Sequence, residues 1–241
     1  MKKSKTVLCT GDSLAMPRPG VPYESTWYCK IKQAFPQYDF ISQFKRAVTT
    51  NILVEWGGGE EKVSPDFPYG SDCLEHYNPD LIIIQLGIVD CAPRLIKPKG
   101  FSYFMLKILP KQVHKSYIKL LKIIKGRNAN SVYVTKEKFD KNLRNFLMRC
   151  EKRNIKKAVL IGICYPDEMM IKNNPAIANN IEIYNDIYKS IAKEFDFVDL
   201  IFPLDARKQL FRIYDDGYHP KIQGNDLVYV SIADSLSKLN L

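Results

Sequence analysis

The chain reads as an α/β protein, a three-layer α/β/α arrangement around a central parallel sheet. Three observations predict this. Short apolar runs alternate along the chain with stretches of helical periodicity. The strongest run, Asp80-Leu81-Ile82-Ile83-Ile84-Gln85-Leu86, shows no polar alternation, as expected of a strand covered on both faces. And 241 residues suffice for one sizeable core, so we expect a single domain over 1–241.

The elements follow in order. Residues 5–10 form a first apolar strand, 24–35 a helix, and 38–44 a second strand. A short helix is predicted over 65–77, stopped by Asn78-Pro79, because the residue before a proline is disfavoured in helical conformation. The run 80–86 is the third strand. Residues 135–152 carry Phe139, Leu143, Phe146, Leu147 and Cys150 on one stripe, which is the pattern of a helix with one buried face. A strand over 157–163, a helix over 176–195, a strand over 197–200 and a helix over 221–239 complete the alternation. The loop 56–61 is rich in glycine, but no Lys-Ser/Thr follows, so it is not a phosphate loop.

Charge singles out one segment. The chain has a net charge of +10. Of its 36 Lys and Arg, 11 fall between Cys91 and Lys136, where there is no Asp or Glu; the other 25 meet 26 acidic residues. The basic insertion at about 94–127 also carries Phe101, Tyr103, Phe104, Met105, Leu106, Ile108 and Leu109. After Pro110, Val113, Tyr117, Leu120, Leu121 and Ile124 recur at helical spacing, with Lys111, Lys115, Lys119 and Lys122 on the other side. Two readings stand open. The apolar stripe packs on the core beneath a solvated lysine face, or the segment is an active-site lid or an element for an anionic membrane surface. Nucleic acid is not the expected partner, since the charge is confined to one insertion and no nucleic-acid motif accompanies it.

Met1-Lys2-Lys3-Ser4-Lys5 is basic, as the start of a signal peptide would be. The apolar run after it spans only residues 6–10, short of the ~7–15 such a signal needs. No stretch approaches the ~18 apolar residues of a membrane-spanning helix. We therefore expect a cytoplasmic protein, possible contact with a membrane surface aside. Six cysteines (Cys9, Cys29, Cys73, Cys91, Cys150, Cys164) lie without Cys-x-x-Cys spacing and read as reduced thiols rather than as a disulfide framework or a zinc site.

Two short motifs carry the chemistry. Gly11-Asp12-Ser13 closes the first strand, and Asp216-Gly217-Tyr218-His219-Pro220 opens the last segment. A serine hydroxyl is too weak an acid to attack an ester alone. It needs an imidazole to take its proton and a carboxylate to orient that imidazole. Ser13, His219 and Asp216 supply the three types; Asp215 is a competing orienter. Asp12 reads as a loop-shaping residue, and His76 and His114 lack an acid at matching spacing. The chemistry calls for no metal or other cofactor.

The order of these blocks resembles the SGNH/GDSL hydrolase family. Gly11-Asp12-Ser13 and Asp216 to His219 match the family's first and last blocks. Gly87-Ile88-Val89-Asp90 matches the Gly-x-Asn-Asp block except that Val89 stands for asparagine. Lys45-Arg46-Ala47-Val48-Thr49-Thr50 is similar to the family's Asn-Arg-Gly stretch, with Ala47 for glycine. The resemblance implies an SGNH fold and an oxyanion hole built from the Ser13 N–H, the Ala47 N–H and the third block with Gly87 and Asp90. Val89 has no side-chain donor, and loss of one such donor costs about 2.7–4 kcal/mol of transition-state stabilisation. Asn51 and Arg94 are candidate substitutes. The resemblance further implies acyl-ester chemistry through a seryl intermediate. A small-molecule or glycan acyl ester, above all a carbohydrate O-acetyl ester, is the expected substrate. A sugar O-acyltransferase and a non-catalytic glycan- or membrane-binding relative are the alternatives.

Overall fold

The computed structural model describes residues 5–54, 73–96, 100–125, 130–208 and 212–238. The glycine-rich loop at 56–61 and the first part of the helix expected over 65–77 lie outside them.

In chain order the elements are β1 (Lys5–Gly11), α1 (Trp27–Ala34), β2 (Tyr38–Phe44), α2 (Cys73–Tyr77), β3 (Leu81–Gln85) and α3 (Ile88–Cys91). Then come α4 (Phe101–Ile108), α5 (His114–Lys125), α6 (Lys136–Lys152), β4 (Lys157–Ile161), α7 (Glu168–Asn173), α8 (Ile177–Glu194), β5 (Val198–Ile201) and α9 (Ile222–Ser237). Among the described residues the strands form one parallel sheet in the order β2-β1-β3-β4-β5. β3 is buried along its whole length, as its unbroken apolar run requires. Helix pairs α1/α9 and α6/α8 pack on the two faces, which makes the three-layer α/β/α arrangement of the SGNH fold.

Local chemistry sets the element ends. Thr26 caps α1, its hydroxyl accepting the Cys29 N–H, and Thr135 caps α6 through the Lys138 N–H. Buried Trp27 ties α1 to the rest of the fold: its indole N–H donates to Gln85 at 2.8 Å and its backbone N–H to the Asn225 side chain at 3.1 Å. The chain reverses its direction of travel across the sheet between β1 and β3. Loops leaving their carboxyl ends splay apart there, and an open parallel sheet holds its ligand in the resulting crevice.

The basic insertion corrects one expectation. It forms two helices, α4 and α5, and its apolar stripe does not pack on the core. Leu121 is buried and Tyr117 half-buried, but Phe101, Phe104, Ile108, Val113, Leu120, Ile123 and Ile124 are exposed, Phe101 and Ile123 at 75 %. At 100° per residue α5 has three sectors. His114, Tyr117, Ile118 and Leu121 face inward; Lys115, Lys119 and Lys122 form one outer flank; Leu120, Ile123 and Ile124 form the other. Among the described residues no helix is long and apolar enough to cross a membrane.

Candidate active site

The site is assembled from the loops that follow β1, β2 and β3 and from the segment before α9. After Gly11 the chain turns through a single 3-10 turn, Ser13–Ala15. Asp12 shapes that turn. It is fully buried, and its Oδ1 accepts the Leu14 N–H at 2.8 Å. Burial pushes its carboxyl up to about 7 despite that bond. The turn presents Ser13, half-buried, at the carboxyl edge of the sheet.

Ser13 Oγ lies 3.0 Å from His219 Nε2. The other ring nitrogen, Nδ1, lies 2.7 Å from Asp216 Oδ2 and 3.0 Å from Oδ1, and the His219 backbone N–H donates to the same carboxylate at 3.1 Å. With Nδ1 protonated toward Asp216, Nε2 is left to accept the Ser13 hydroxyl proton. Among the described residues Asp215 makes no hydrogen bond to the His219 ring. Its contact with His219 is a backbone one, its N–H donating to the His219 carbonyl.

The segment that holds His219 is anchored at both sides. Tyr214 pairs with Pro220 across it, and the Asp167 N–H donates to the Gly217 carbonyl at 2.9 Å. Gly217 has φ +102, and a Cβ there would lie 2.8 Å from both Asp167 and Met170, so only glycine fits. The Tyr218 ring lies against the imidazole at 4.1 Å between centroids. Burial lowers the His219 pKa below its ordinary value, opposed by the Asp216 hydrogen bond and reinforced by the nearby positive charges of Arg18 and Arg46. Burial raises Asp216, but the hydrogen bonds from the His219 ring and backbone, with the positive charges of His219 and Arg18, together outweigh this and leave it below the usual carboxylate range.

The acceptor side is built differently. Ala47 lines the cleft with a positive φ of 57°, the conformation that explains why a glycine would suit this position. Val89 lines it as well. Three expected site residues sit elsewhere. Asp90 is fully buried behind the cleft, its Oδ1 accepting the Thr50 N–H at 2.9 Å and the Thr50 hydroxyl at 2.6 Å. Burial lifts it to about 6, opposed by those Thr50 bonds. Asn51 Oδ1 accepts from Asn142 on α6 at 2.9 Å, and Asn142 also donates to the Thr50 hydroxyl at 3.2 Å. Gly87 caps α3 with φ +114, and a Cβ there would come within 2.6 Å of Ile163. Asp90 and Asn51 therefore hold the loop that carries Ala47, and Gly87 admits a close chain approach; none of the three is among the cleft-lining residues.

Arg94 is in the cleft. Its guanidinium donates to the Val89 carbonyl at 3.3 Å and lies 4.4 Å from the centre of the Tyr133 ring. Arg18, Arg46, Tyr133, Met170 and Tyr218 line the same cleft, of about 500 Å³, and were not foreseen. A signal for the arginines was present, since each stands beside one of the sequence blocks. A second cleft, of about 590 Å³ around Tyr165 and Arg212, includes neither Ser13 nor His219. The Cys91 thiol is buried and pushed far up, which leaves it inert. Among the described residues no group of three His, Cys, Asp or Glu side chains is placed to hold a metal ion.

Fold and site together define an acyl-hydrolase architecture. Residues 30–231 match the family model for GDSL-like lipases and acylhydrolases, and the chain belongs to that family of ester-hydrolysing enzymes. No curated protein matches the chain in sequence. Solved structures share the fold at low identity. An alpha/beta hydrolase enzyme from the metagenome of Lake Arreo, Spain, superposes with a TM-score of 0.61 at 15% identity, covering 98% of this chain and 97% of its own. A carbohydrate acetylesterase from Sinorhizobium meliloti gives 0.58 at 17%, covering 97% and 98%. A variant of an acetyl-xylooligosaccharide esterase from Geobacillus gives 0.59 at 15%, covering 99% and 98%.

Proposed function

We propose that the protein is a serine-dependent esterase that removes O-acetyl groups from a carbohydrate. The observation that carries this reading is the continuous chain Ser13–His219–Asp216, with contacts of 3.0 and 2.7 Å. In this mechanism His219 Nε2 takes the Ser13 proton as Oγ bonds to the ester carbonyl carbon. The carbonyl oxygen becomes an oxyanion facing the backbone N–H groups of Ser13 and Ala47. The intermediate collapses, the imidazolium returns its proton to the leaving sugar oxygen, and an acetyl-serine remains. Water, deprotonated by His219, then releases acetate and restores the hydroxyl. The two carbohydrate acetylesterases of the same fold support the substrate class by analogy.

Hydrolysis of p-nitrophenyl acetate by wild type, Ser13→Ala and His219→Ala tests the triad. Turnover that vanishes in both variants supports it; turnover that survives in both defeats it. Release of acetate from acetylated xylo-oligosaccharides tests the substrate class.

A second reading rests on the exposed face of α4 and α5. Apolar side chains flanked by lysines whose stems can lie along the apolar surface suit an anionic membrane surface, at which the protein would be peripheral and cytoplasmic. There the same triad would pass an acyl group to a sugar hydroxyl in place of water. Co-sedimentation with anionic but not neutral vesicles, lost when Lys115, Lys119 and Lys122 become Gln, is the expected result. Equal sedimentation of both proteins with both vesicles contradicts it.

A further inference from the structure

Three guanidinium groups converge on the cleft that holds Ser13 and His219. Arg18 comes from the loop after β1, Arg46 from the loop after β2, and Arg94 from the loop after α3. The parallel topology gathers them, since all three loops leave the same edge of the sheet.

Elsewhere among the described residues arginine is paired. Arg144 meets Asp140 and Glu194, Arg149 meets Glu75 at 2.8 Å, and Arg207 meets Asp205 at 2.8 Å. Among the described residues, none of the three cleft arginines has a carboxylate within ion-pair distance. Arg94 is nonetheless held in place. The Val89 carbonyl and the Tyr133 ring fix its guanidinium, and its Nε is buried with no hydrogen-bond partner. The cleft wall offers two acids, Asp215 and Asp216, and Asp216 is already committed to His219. Like charges so placed oppose one another. Arg18 and Arg46 both press on His219, and Arg46 presses on Arg18, though less than Asp216 and Asp215 draw it. Three cations that face two acids, one of them committed to His219, and that are partly immobilised make the arrangement of a site whose remaining counter-charge arrives with the ligand.

We propose that the cleft binds an acyl ester bearing a phosphate group, with Arg18, Arg46 and Arg94 as the residues that select it. One bidentate arginine satisfies the two oxygens of a carboxylate. Three forks reaching in from separate loops suit the several oxygens of a tetrahedral phosphate better. The inference rests on the esterase reading for the word ester. The anion site itself does not depend on turnover, and the test exploits this.

Isothermal titration calorimetry of the intact chain at low ionic strength, with inorganic phosphate and with glucuronate as the carboxylate probe, measures the site directly. The expected result is saturable phosphate binding, tighter than that of glucuronate or chloride. Affinity should fall at least tenfold in Arg94→Gln and in the double variant Arg18→Gln/Arg46→Gln, and hold in the surface control Lys189→Gln. Phosphate should also inhibit p-nitrophenyl acetate hydrolysis competitively. It should move the acid limb of the pH profile upward, because a bound anion relieves the positive pressure on His219. Far-UV circular dichroism of the variants separates loss of binding from loss of fold. Phosphate bound no better than chloride, or equally well by all variants, overturns the proposal. Tighter binding of glucuronate overturns the phosphate assignment. Ester turnover without phosphate binding defeats this inference alone. Arginine-dependent phosphate binding without turnover defeats the esterase reading and keeps the anion site.

Discussion

The two halves of the candidate site follow different rules. On the proton-transfer side every group is held: Asp12 shapes the turn under Ser13, Asp216 orients His219, and Gly217 lets the His219 loop lie against α7. On the side proposed to hold the carbonyl oxygen there is no side-chain amide at the position where the resemblance implies one. Val89 stands in its place, Ala47 holds a positive φ, and an arginine fills the space nearby. In the proposed mechanism the relay needs three side chains in one geometry. An oxyanion site built partly of backbone can lose a side-chain donor and keep its frame, because Asp90 and Thr50 secure that frame from behind.

The comparison can be broken from either side. The largest expected effect is on the relay. Ser13→Ala should lower kcat for p-nitrophenyl acetate on the order of 10⁶-fold, and Asp216→Asn about 10⁴-fold, by steady-state assay. On the other side, Val89→Asn should raise kcat, by about 10- to 100-fold, by returning a donor to the oxyanion. No gain there, with the fold intact, would mean that Arg94 already supplies what asparagine does. The frame behind is tested by Thr50→Val, which removes a buried hydroxyl that donates to Asp90 and accepts from Asn142. Urea unfolding should show a loss of about 1–3 kcal/mol.

The smallest effect is on pH. His219 must be neutral to accept the Ser13 proton, and its pKa is lowered. Activity should therefore persist as pH falls through 6.5, the ordinary histidine value, and fail only below it. A kcat/KM profile whose acid limb lies above 6.5 would show that the imidazole is not in the environment described here.

Much of this was legible in the chain. β2 runs from Tyr38 to Phe44, the bounds expected from the sequence. The sequence predicts helices over 24–35 and 135–152; α1 and α6 start later, at Trp27 and Lys136, because the Thr26 and Thr135 hydroxyls cap them. The serine, aspartate and histidine that the structure brings together were found by residue type and order. Other features were hidden for physical reasons. Asp90 sits in a matching block and Asn51 directly after one, and only tertiary packing shows that they face Thr50 and Asn142 rather than the cleft. Periodicity assigns α5 an apolar stripe but is silent on which flank meets the core, and most of that stripe faces outward. Arg18 and Arg46 carry no periodic signal. They meet Arg94 only because a parallel sheet brings separate loops to one edge.

The central claim is that Ser13 is the nucleophile activated by His219. Labelling with a fluorophosphonate, followed by peptide mass mapping, reads this most directly, because the reagent bonds covalently only to a serine oxygen made nucleophilic by a neighbouring base. One adduct is expected, on Ser13, formed rapidly by the wild type and lost in His219→Ala. An adduct on another residue, or equal labelling of Ser13 with and without His219, would contradict it.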